Sequence, residues 1–287
     1  MTRPMVIYHG NCADGFSAAW CFWHKYGEGA DYVAGVYQTP PPDVTGREVF
    51  LVDFSYKRAV VEDMLKVAAS VTLIDHHKTA IDDLRPLKEQ ILMTNGEGMG
   101  DNFGWYCDLN RSGATLAWDY LFHGQDRPLL LGHIEDRDLW RFKLPGTREI
   151  QAMVFSYEYS FELWDKLMAA DQVELLKMTA AGAAIERKHH KDVAELVGVC
   201  QRTMSIGGHT VPVASLPYTM VSDAAHAMAE GQPFAACYWD TADGRVFGLR
   251  STDEGLDVSE IAKLYGGGGH AKAAGFKVPR THVLAAA

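Results

Sequence analysis

The sequence lacks the features of a membrane protein and of a disulfide-bonded secreted protein. No apolar stretch approaches the roughly 20 residues that a membrane-spanning helix requires, and the first residues, MTRPMVIYHG, lack the apolar core of a signal peptide. The five cysteines are odd in number, widely scattered and without a C-x-x-C pair. We therefore expect a cytoplasmic protein with reduced thiols, no disulfide framework and no membrane association.

Positive charge is also scarce. The 287 residues include 27 Lys and Arg against 37 Asp and Glu, which gives a formal net charge of −10. A protein that holds long duplex DNA without regard to sequence neutralises many phosphates with cationic side chains. The composition therefore disfavours long duplex DNA as a partner. It is compatible with a small phosphorylated substrate that a few local cations and metal ions hold.

Strand-like and helix-like patterns alternate in the first third of the chain. The segments PMVIYHG, EVFLVDF and SVTLIDHH are apolar strands, and helical patterns such as Ala13 to Tyr26 separate them. This alternation predicts a parallel sheet with helices on both faces. A long helical pattern, Asp171 to Val199, precedes a region richer in strands. We predict an α/β fold, in which a parallel-sheet domain (residues 1–185) is joined by the long helix to a smaller mixed α/β domain (residues 186–287).

Polar side chains follow the ends of three of the predicted strands. They are His9, Asp53 and the triplet Asp75–His77. Ligands of open α/β sheets bind at the carboxyl ends of the strands, and carboxylate and imidazole groups suit Mn, Mg, Fe or Zn. Two such ions, roughly 3.5–4 Å apart, can clamp a phosphate and activate a water. The pattern predicts a two-metal centre with Asp53 as the bridging carboxylate, although a single Asp or His in such a place is as often a cap or a core residue.

A glycine-rich string, YGGGGHAKAAGF, covers Tyr265 to Phe276. Glycines let an anion approach the backbone amides, and HAKAAG is typical of a helix start, where phosphate is favoured. Upstream, Arg250 and Ser251 offer a guanidinium and a hydroxyl at a strand end. We predict a phosphate-binding region here. The alternatives are a flexible linker for the glycines and a surface ion pair for Arg250.

The ordered set of motifs resembles the DHH phosphoesterase superfamily with its DHH-associated C-terminal domain. IDHH at Ile74–His77 resembles the motif that names the family, and GGGGHAKAAG resembles the glycine-rich signature of the associated domain. Three further segments resemble metal motifs of the family and occur in the family's order, namely HGNCADG at His9–Gly15, LVDF at Leu51–Phe54 and GHIEDRD at Gly132–Asp138. The resemblance spans nearly the whole chain and includes the two-domain architecture.

The resemblance implies a role for each matching residue. The metal ligands would be His9, Asp14, Asp53, His76 and Asp136, with Asp138 as the less favoured alternative to Asp136. Asp53 would bridge two Mn²⁺ ions, with Mg²⁺ or Co²⁺ as alternatives. Asp75 would orient its neighbours and His77 would face the substrate phosphate, so the catalytic group is Asp53, Asp75 and His77. The substrate-binding residues would be Arg250, Ser251, Gly267, Gly268, Gly269 and His270.

One position departs from the family pattern. The first motif of the family usually carries two aspartates around one spacer residue, whereas here Cys12 stands in place of the first and Asp14 is the second. A thiolate ligand would favour softer metals. Alternatively, Asn11 or a water completes the site. We expect the first metal to be held lightly.

The activity that the resemblance implies is hydrolysis of phosphodiester bonds by a metal-activated water. Short oligonucleotides or dinucleotides are the expected substrates, because the chain is similar in length and motif order to family members that act on them. A homodimer is left open. Two alternatives remain. One is a nucleotide-binding protein with weak or lost catalysis, as Cys12 hints. The other is a pyrophosphatase-like phosphohydrolase, which the glycine-rich tail disfavours.

Overall fold

The computed structural model describes residues 3–10, 12–37, 39–93 and 102–286, with the backbone alone for residues 90–93. The chain divides into two compact units, Met1–Glu186 and Arg187–Ala287. Over the described ranges, no helix combines the length and the apolarity that crossing a bilayer requires.

The first unit alternates strands with helices before it becomes helical. A short 3₁₀ helix, Gly27–Gly29, follows the first α-helix. In chain order the elements of the first unit are β1 Met5–His9, α1 Ala13–Tyr26, β2 Asp31–Gly35, β3 Glu48–Val52, α2 Arg58–Val67, β4 Ser70–Asp75, α3 Lys78–Met93, β5 Phe103–Cys107, α4 Gly113–Leu121, α5 Leu129–Asp138, α6 Thr147–Phe155, α7 Phe161–Met168 and α8 Gln172–Cys200. The last of these begins in the first unit and ends in the second.

The described strands of the first unit form one parallel sheet in the order β2-β1-β3-β4-β5. The direction of winding reverses between β1 and β3. Such a switch point opens a crevice at the carboxyl ends of the two strands, where open α/β sheets bind their ligands. β1 ends at His9, and β3 is followed directly by Asp53. The topology therefore puts two of the predicted ligands at the switch point.

Apolar side chains on both faces of the central strands explain why helices cover both sides of the sheet. In β3, Phe50 and Val52 pack into a cluster with residues of α1 and α4. The alternate residues Val49 and Leu51 pack into a second cluster with residues of α2 and α3. This is the pattern of a fully buried parallel strand, which is apolar throughout because successive side chains point to opposite faces.

The second unit is a mixed α/β structure, and the predicted fold class is confirmed. A short 3₁₀ helix, Tyr218–Met220, leads into its first complete helix. The elements are β6 Arg202–Ile206, β7 His209–Ser215, α9 Val221–Met228, β8 Ala235–Asp240, β9 Gly244–Arg250, α10 Val258–Lys263, β10 Gly268–Gly269, β11 Ala273–Pro279 and α11 Val283–Ala286. In the described residues the sheet order is β10-β11-β9-β8-β7-β6, and the neighbours pair antiparallel except for β7 and β8.

The predicted helix start at HAKAAG is wrong. Gly268 and Gly269 form a short strand that pairs with Gly275 and Ala274 of β11. The amide of His270 donates to the carbonyl of Ala273 at 2.8 Å and closes the turn between these strands. The glycines serve close packing, since a Cβ on Gly267 would stand 2.1 Å from the carbonyl oxygen of Gly275. The anion-binding helix N-terminus expected at this string is therefore absent.

Candidate metal centre

Asp53 lies at the centre of the polar cluster at the strand ends. Its Oδ1 is 3.0 Å from Nε2 of His76, and its Oδ2 is 3.5 Å from Nδ1 of His9. The side chain is 1% exposed. The backbone of Asp53 has φ of +53°, a left-handed conformation that non-glycine residues rarely adopt. Its amide donates to the carbonyl of Ile74 at 2.9 Å, which ties this strained residue to the neighbouring strand.

Asp75 fixes the backbone of the two histidines that follow it and contacts the ring of the second. Its Oδ1 accepts the backbone amides of His76 and His77, at 2.7 and 3.1 Å, and lies 2.8 Å from Nδ1 of His77. The Asp75 side chain is fully buried. A carboxylate that fixes the position and the tautomer of neighbouring imidazoles is the usual support around a metal centre.

Asp14 reaches the same cluster from the first turn of α1. A Cβ on Gly15 would stand 2.5 Å from the carbonyl oxygen of His9, so only glycine lets α1 begin this close to the end of β1. The Asp14 carboxylate accepts the amides of Gly113 and Ala114, at 2.6 and 3.0 Å, at the start of α4. The N-terminus of a helix stabilises a carboxylate through its unpaired amides and its dipole.

The predicted metal ligand Asp136 lies outside the cluster. Its carboxylate accepts the amides of Lys143 and Leu144, at 2.8 and 3.0 Å, and the hydroxyl of Thr147 at 2.7 Å. Two residues along a helix differ by about 200° around its axis, because the helix has 3.6 residues per turn. When Asp136 points to the loop after α5, the other aspartate of the motif therefore points to the opposite side.

Asp138 takes the place that the sequence interpretation assigned to Asp136. Its Oδ2 lies 3.4 Å from Nε2 of His76. We therefore replace Asp136 by Asp138 in the candidate ligand set, which becomes His9, Asp14, Asp53, His76 and Asp138.

The carboxylates of the cluster oppose one another electrostatically. Burial raises the pKa of Asp14 and of Asp138, and the charge of Asp53 raises both further. Burial also raises the pKa of Asp53, but the hydrogen bond to His76 and the nearby His9 outweigh this effect and hold that pKa well below its usual value. Several carboxyl groups confined in one buried volume are stabilised when a divalent cation lies among them.

The pKa values of the cluster's imidazoles are also shifted. Burial lowers the pKa of His9 and of His76, but the nearby Asp53 carboxylate outweighs this effect and raises both pKa values well above the usual value. In the absence of a cation the cluster therefore retains protons. Metal binding must displace them, because imidazole and carboxylate ligands bind in their deprotonated forms.

The residues present fit a metal centre. Within the described part of the chain, the buried polar atoms of the cluster without a hydrogen-bond partner include Nδ1 of His9 and the Oδ2 atoms of Asp53, Asp75 and Asp138. Buried polar atoms are almost always paired, so such a group of orphans requires an explanation. An oxygen and nitrogen donor set without sulfur at its core matches Mn, Mg or a similar ion.

Two further side chains lie next to the cluster. Cys12 is beside His9, and burial raises the pKa of its thiol. The ring of Tyr37 lies 5.3 Å from that of His9, measured between centroids. Nothing in the sequence pattern singles out Tyr37, because it follows β2 in an irregular segment. Asn11, the alternative partner for the first metal, lies outside the described residues.

Part of the second unit matches a known domain family. Residues 219–287 match the model of the DHHA1 domain family. This part of the chain is similar to the DHHA1 domain family. Its glycine string contains the β10–β11 hairpin rather than a helix start. The match to this domain confirms the assignment of the C-terminal motif.

Two solved structures and one curated relative are similar to the whole chain. The DHH domain of a protein described as a member of a family of ribosomal proteins is 14% identical, with a TM-score of 0.54, and the match covers 96% of this chain and 83% of that one. A pGpG-specific phosphodiesterase, PggH from Vibrio cholerae, is 16% identical with a TM-score of 0.49, over 96% and 93% of the two chains. The uncharacterized protein R106 of Acanthamoeba polyphaga mimivirus is 29% identical over 94% of this chain. The chain spans 66% of the length of that relative. The match to the DHHA1 model supports the resemblance of the C-terminal part, and the likeness to the solved DHH domain shows a shared fold.

The predicted substrate ligands of the DHHA1 domain differ in accessibility. The Ser251 side chain is 2% exposed, and its hydroxyl donates to the carbonyl of Leu256 at 2.7 Å. We therefore withdraw Ser251 as a substrate ligand, because its proton is used inside the domain. Arg250 donates to the hydroxyl of Ser222 and to its neighbour's carbonyl, both at 2.8 Å. Arg250, Gly267, Gly268, Gly269 and His270 remain candidates.

Proposed function

We propose that the protein is a metal-dependent phosphoesterase that hydrolyses phosphodiester bonds of short oligonucleotides or dinucleotides. One observation carries the proposal. Two groups of side chains could each hold a metal ion, His9 with His77 and Asp14 with His76, and Asp53 belongs to both groups. A carboxylate common to two ligand groups is the arrangement of a two-metal centre.

The chain's own residues supply the framework for the reaction. Bound divalent ions would activate a water and stabilise charge on the phosphate oxygens. The low pKa of Asp53 favours its ionised form, and the carboxylate would contribute to both ligand groups. Oδ1 of Asp75 lies 2.8 Å from Nδ1 of His77 and orients the ring, so Nε2 is the nitrogen that would face the substrate phosphate. The helix dipole of α4 stabilises the ionised form of Asp14.

A small substrate agrees with the charge of the chain. The net charge of −10 opposes the binding of a long polyanion, whereas one or two phosphates need only local cations and the metal ions. Mn²⁺ is the ion we propose, with Mg²⁺ and Co²⁺ as the other oxygen- and nitrogen-preferring candidates.

The test compares Asp53→Asn with a matched surface variant. Asp63→Asn removes the same charge from an exposed position on α2, where Asp63 pairs only with Lys66 among the contacts observed. We expect Asp53→Asn to reduce Mn²⁺-dependent hydrolysis of dinucleotides to the metal-free background while its circular dichroism is retained. We expect Asp63→Asn to match the wild type. Near-normal turnover in Asp53→Asn would refute the proposed centre.

A second candidate, a nucleotide-binding protein with little catalysis, follows from Cys12 beside His9. A weakened first metal position would retain binding and lose turnover. Calorimetry with a dinucleotide in the presence of Mn²⁺, together with a turnover assay on the same sample, separates the two candidates. Parallel assays with pyrophosphate test the pyrophosphatase-like alternative.

A further inference from the structure

The carboxylate of Glu135, in α5, holds the start of α4. The Glu135 side chain is 14% exposed. Its Oε2 accepts the backbone amide of Ser112 at 3.1 Å and Nε of Arg111 at 3.0 Å, and it also accepts the hydroxyl of Thr115. Three donors from one short segment therefore meet at a single oxygen atom, and hydrogen bonds to an ionised acceptor are stronger than those to a neutral one.

Glu135 and the candidate ligand Asp14 accept consecutive amides of the same turn. The first amides of a helix have no partner within it, so acceptors from elsewhere must satisfy them. In α4, Glu135 accepts the amide of Ser112, which is the N-cap residue, and Asp14 accepts the two amides that follow. The direction of the two amides that reach Asp14 therefore depends on where Glu135 holds the N-cap.

The start of α4 is confined by a second candidate ligand. Gly113 follows Ser112 directly and lies against Asp53, because a Cβ on the glycine would stand 2.5 Å from the Cβ of the aspartate. A shift of this turn would either press on Asp53 or draw the amides away from Asp14, and hydrogen bonds weaken steeply once their geometry is lost. The position of one helix turn therefore affects two ligands of the candidate centre.

Glu135 also connects this turn to the helix that carries Asp138. The two acidic residues are three positions apart in α5, and residues at this spacing are neighbours on one face of a helix. Asp138 Oδ2 lies 3.4 Å from Nε2 of His76, while Glu135 bonds to the start of α4. The hydrogen bonds of Glu135 therefore join α5 to α4 beside the cluster.

Glu135 itself is not a candidate ligand. Its Oε2 is engaged by Arg111, and its Oε1 lies 3.4 Å from Nη1 of Arg141. Among the described residues, the groups that could hold a metal ion do not include it. Any effect of Glu135 on the centre would therefore act through the residues that it holds in place.

We propose that Glu135 is a positioning residue for the acidic cluster of the candidate metal centre. It holds the start of α4 so that the two amides stay directed at Asp14 and the glycine stays against Asp53, and it keeps Asp138 in register with them. The inference rests on the proposed function, because the groups that Glu135 positions are those of the proposed metal centre. Two guanidinium groups already neutralise Glu135, so its contribution is the geometry of its hydrogen bonds rather than its charge.

Two substitutions separate geometry from charge. Glu135→Gln keeps the length of the side chain and an acceptor oxygen, but removes the charge. Glu135→Asp keeps the charge but is one methylene shorter, so the carboxylate no longer reaches the start of α4. Asp119→Asn is the matched control, because it breaks the other ion pair of Arg111, at 3.1 Å, later in the same helix.

Hydrogen exchange in metal-free buffer tests the positioning directly. Nuclear magnetic resonance measures exchange of the amides of Gly113 and Ala114, relative to the amide of Leu51 in the central strand β3. We expect this relative rate to rise at least about fivefold in Glu135→Asp, the scale of one lost hydrogen bond. Glu135→Gln and Asp119→Asn should keep the relative rate of the wild type. An unchanged relative rate in Glu135→Asp would overturn the proposal.

Calorimetry with Mn²⁺ then tests whether the positioning matters to the centre. We expect Glu135→Asp to bind Mn²⁺ at least about tenfold more weakly, since residues that support metal ligands act on this scale. Glu135→Gln and Asp119→Asn should keep the wild-type affinity. An equal loss of affinity in Glu135→Asp and Asp119→Asn would overturn the proposal, because a general loss of stability would then account for both.

Two further outcomes are also decisive. A wild type that binds no Mn²⁺ would refute the metal centre of the proposed function, while the exchange rates would still decide whether Glu135 positions the cluster. If Glu135→Asp fails to fold, Thr115→Val takes its place, because it removes one donor to Glu135 and keeps the shape of the side chain. The same rise in relative exchange is expected there, and its absence would overturn the proposal.

Discussion

Gly113, the first residue of α4, lies directly against Asp53. A Cβ built on the glycine would stand 2.5 Å from the Cβ of Asp53 and 2.9 Å from its Oδ1. Atoms cannot approach this closely, so any side chain at position 113 must displace either the helix or the aspartate. The same helix start supplies the amides that hold Asp14. A single glycine therefore allows one helix N-terminus to contact two candidate metal ligands.

Gly113→Ala should reduce metal affinity more than it reduces stability. The added methyl group displaces Asp53, and overpacking of a buried site costs about 1–3 kcal/mol. We expect Mn²⁺ binding, measured by calorimetry, to weaken at least about tenfold, because small displacements around metal ligands have effects of this size.

The control for that substitution is Gly132→Ala in α5. A Cβ there meets only Leu144 Cδ1, at an ordinary contact distance of 3.6 Å. Gly132→Ala should retain Mn²⁺ affinity and be at least as stable as the wild type, since alanine favours a helix. Equal Mn²⁺ affinities in the two variants would show that the close approach of Gly113 has no influence on the centre.

Asp138→Asn should weaken Mn²⁺ binding, whereas Asp136→Asn should reduce the stability of the fold. The Asp138 variant loses a candidate ligand whose charge is opposed by Asp53, so we expect weaker Mn²⁺ binding with little loss of stability in metal-free buffer. The Asp136 variant loses a charged acceptor for two amides and one hydroxyl, and should be destabilised by about 1–3 kcal/mol. Thermal unfolding with and without Mn²⁺ measures both effects. Loss of Mn²⁺ stabilisation in Asp136→Asn alone would reverse the assignment.

The strand ends were predictable from the sequence because the periodicity of buried parallel strands is strong. The central residues of β1, β3 and β4 are mostly apolar, so the polar residues at their carboxyl ends, His9, Asp53 and Asp75, mark the edge of the sheet. The bounds of α1, Ala13–Tyr26, also match the predicted helix. The family motifs then identified His9, Asp53 and His76 as neighbours, and the structure places them together.

The choice between Asp136 and Asp138 could not be made from the sequence. Both lie in one short helix, and the loop amides of Lys143 and Leu144 decide which of them faces inward. The structure of the glycine string could not be predicted from its own sequence either. HAKAAG has the composition of a helix, but its pairing with β9 and β10 makes it a turn and a strand. In both cases the deciding contacts come from other segments of the chain.

Cys12→Asp should increase affinity for Mn²⁺. A carboxylate is a harder ligand than a thiol, and burial raises the pKa of the Cys12 thiol, which disfavours the thiolate that would bind a metal. We expect an increase of about tenfold, the scale at which single changes around a metal centre act. Cys12→Ser, which adds no charge, is the control. Calorimetry showing no gain for the aspartate variant would argue that position 12 does not face a metal.

Asp119 should contribute stability that depends on pH. Burial raises the pKa of this carboxyl, but Arg127 and Arg111 outweigh it and leave the pKa below the usual value. A lowered folded-state pKa stabilises the fold above the unfolded value of about 3.9, and this stability is lost as the pH falls through the folded value.

Asp119→Asn therefore tests this ion pair through its pH profile. We expect a loss of about 1–2 kcal/mol in the free energy of unfolding near neutral pH. The difference from the wild type should shrink as the pH falls below about 3.9 and disappear below the lowered folded-state pKa, where the carboxyl is protonated in both states. Urea titrations at several pH values measure it. A difference that stays constant down to that range would mean that the charge of Asp119 contributes nothing.

The central claim is that Asp53 joins two groups of ligands around a pair of divalent cations. Anomalous diffraction from crystals grown with Mn²⁺ tests it most directly. We expect two peaks about 3.5–4 Å apart, on either side of Asp53 and among His9, Asp14, His76 and Asp138. A map with no anomalous peak next to Asp53, in crystals of active protein saturated with Mn²⁺, would contradict it.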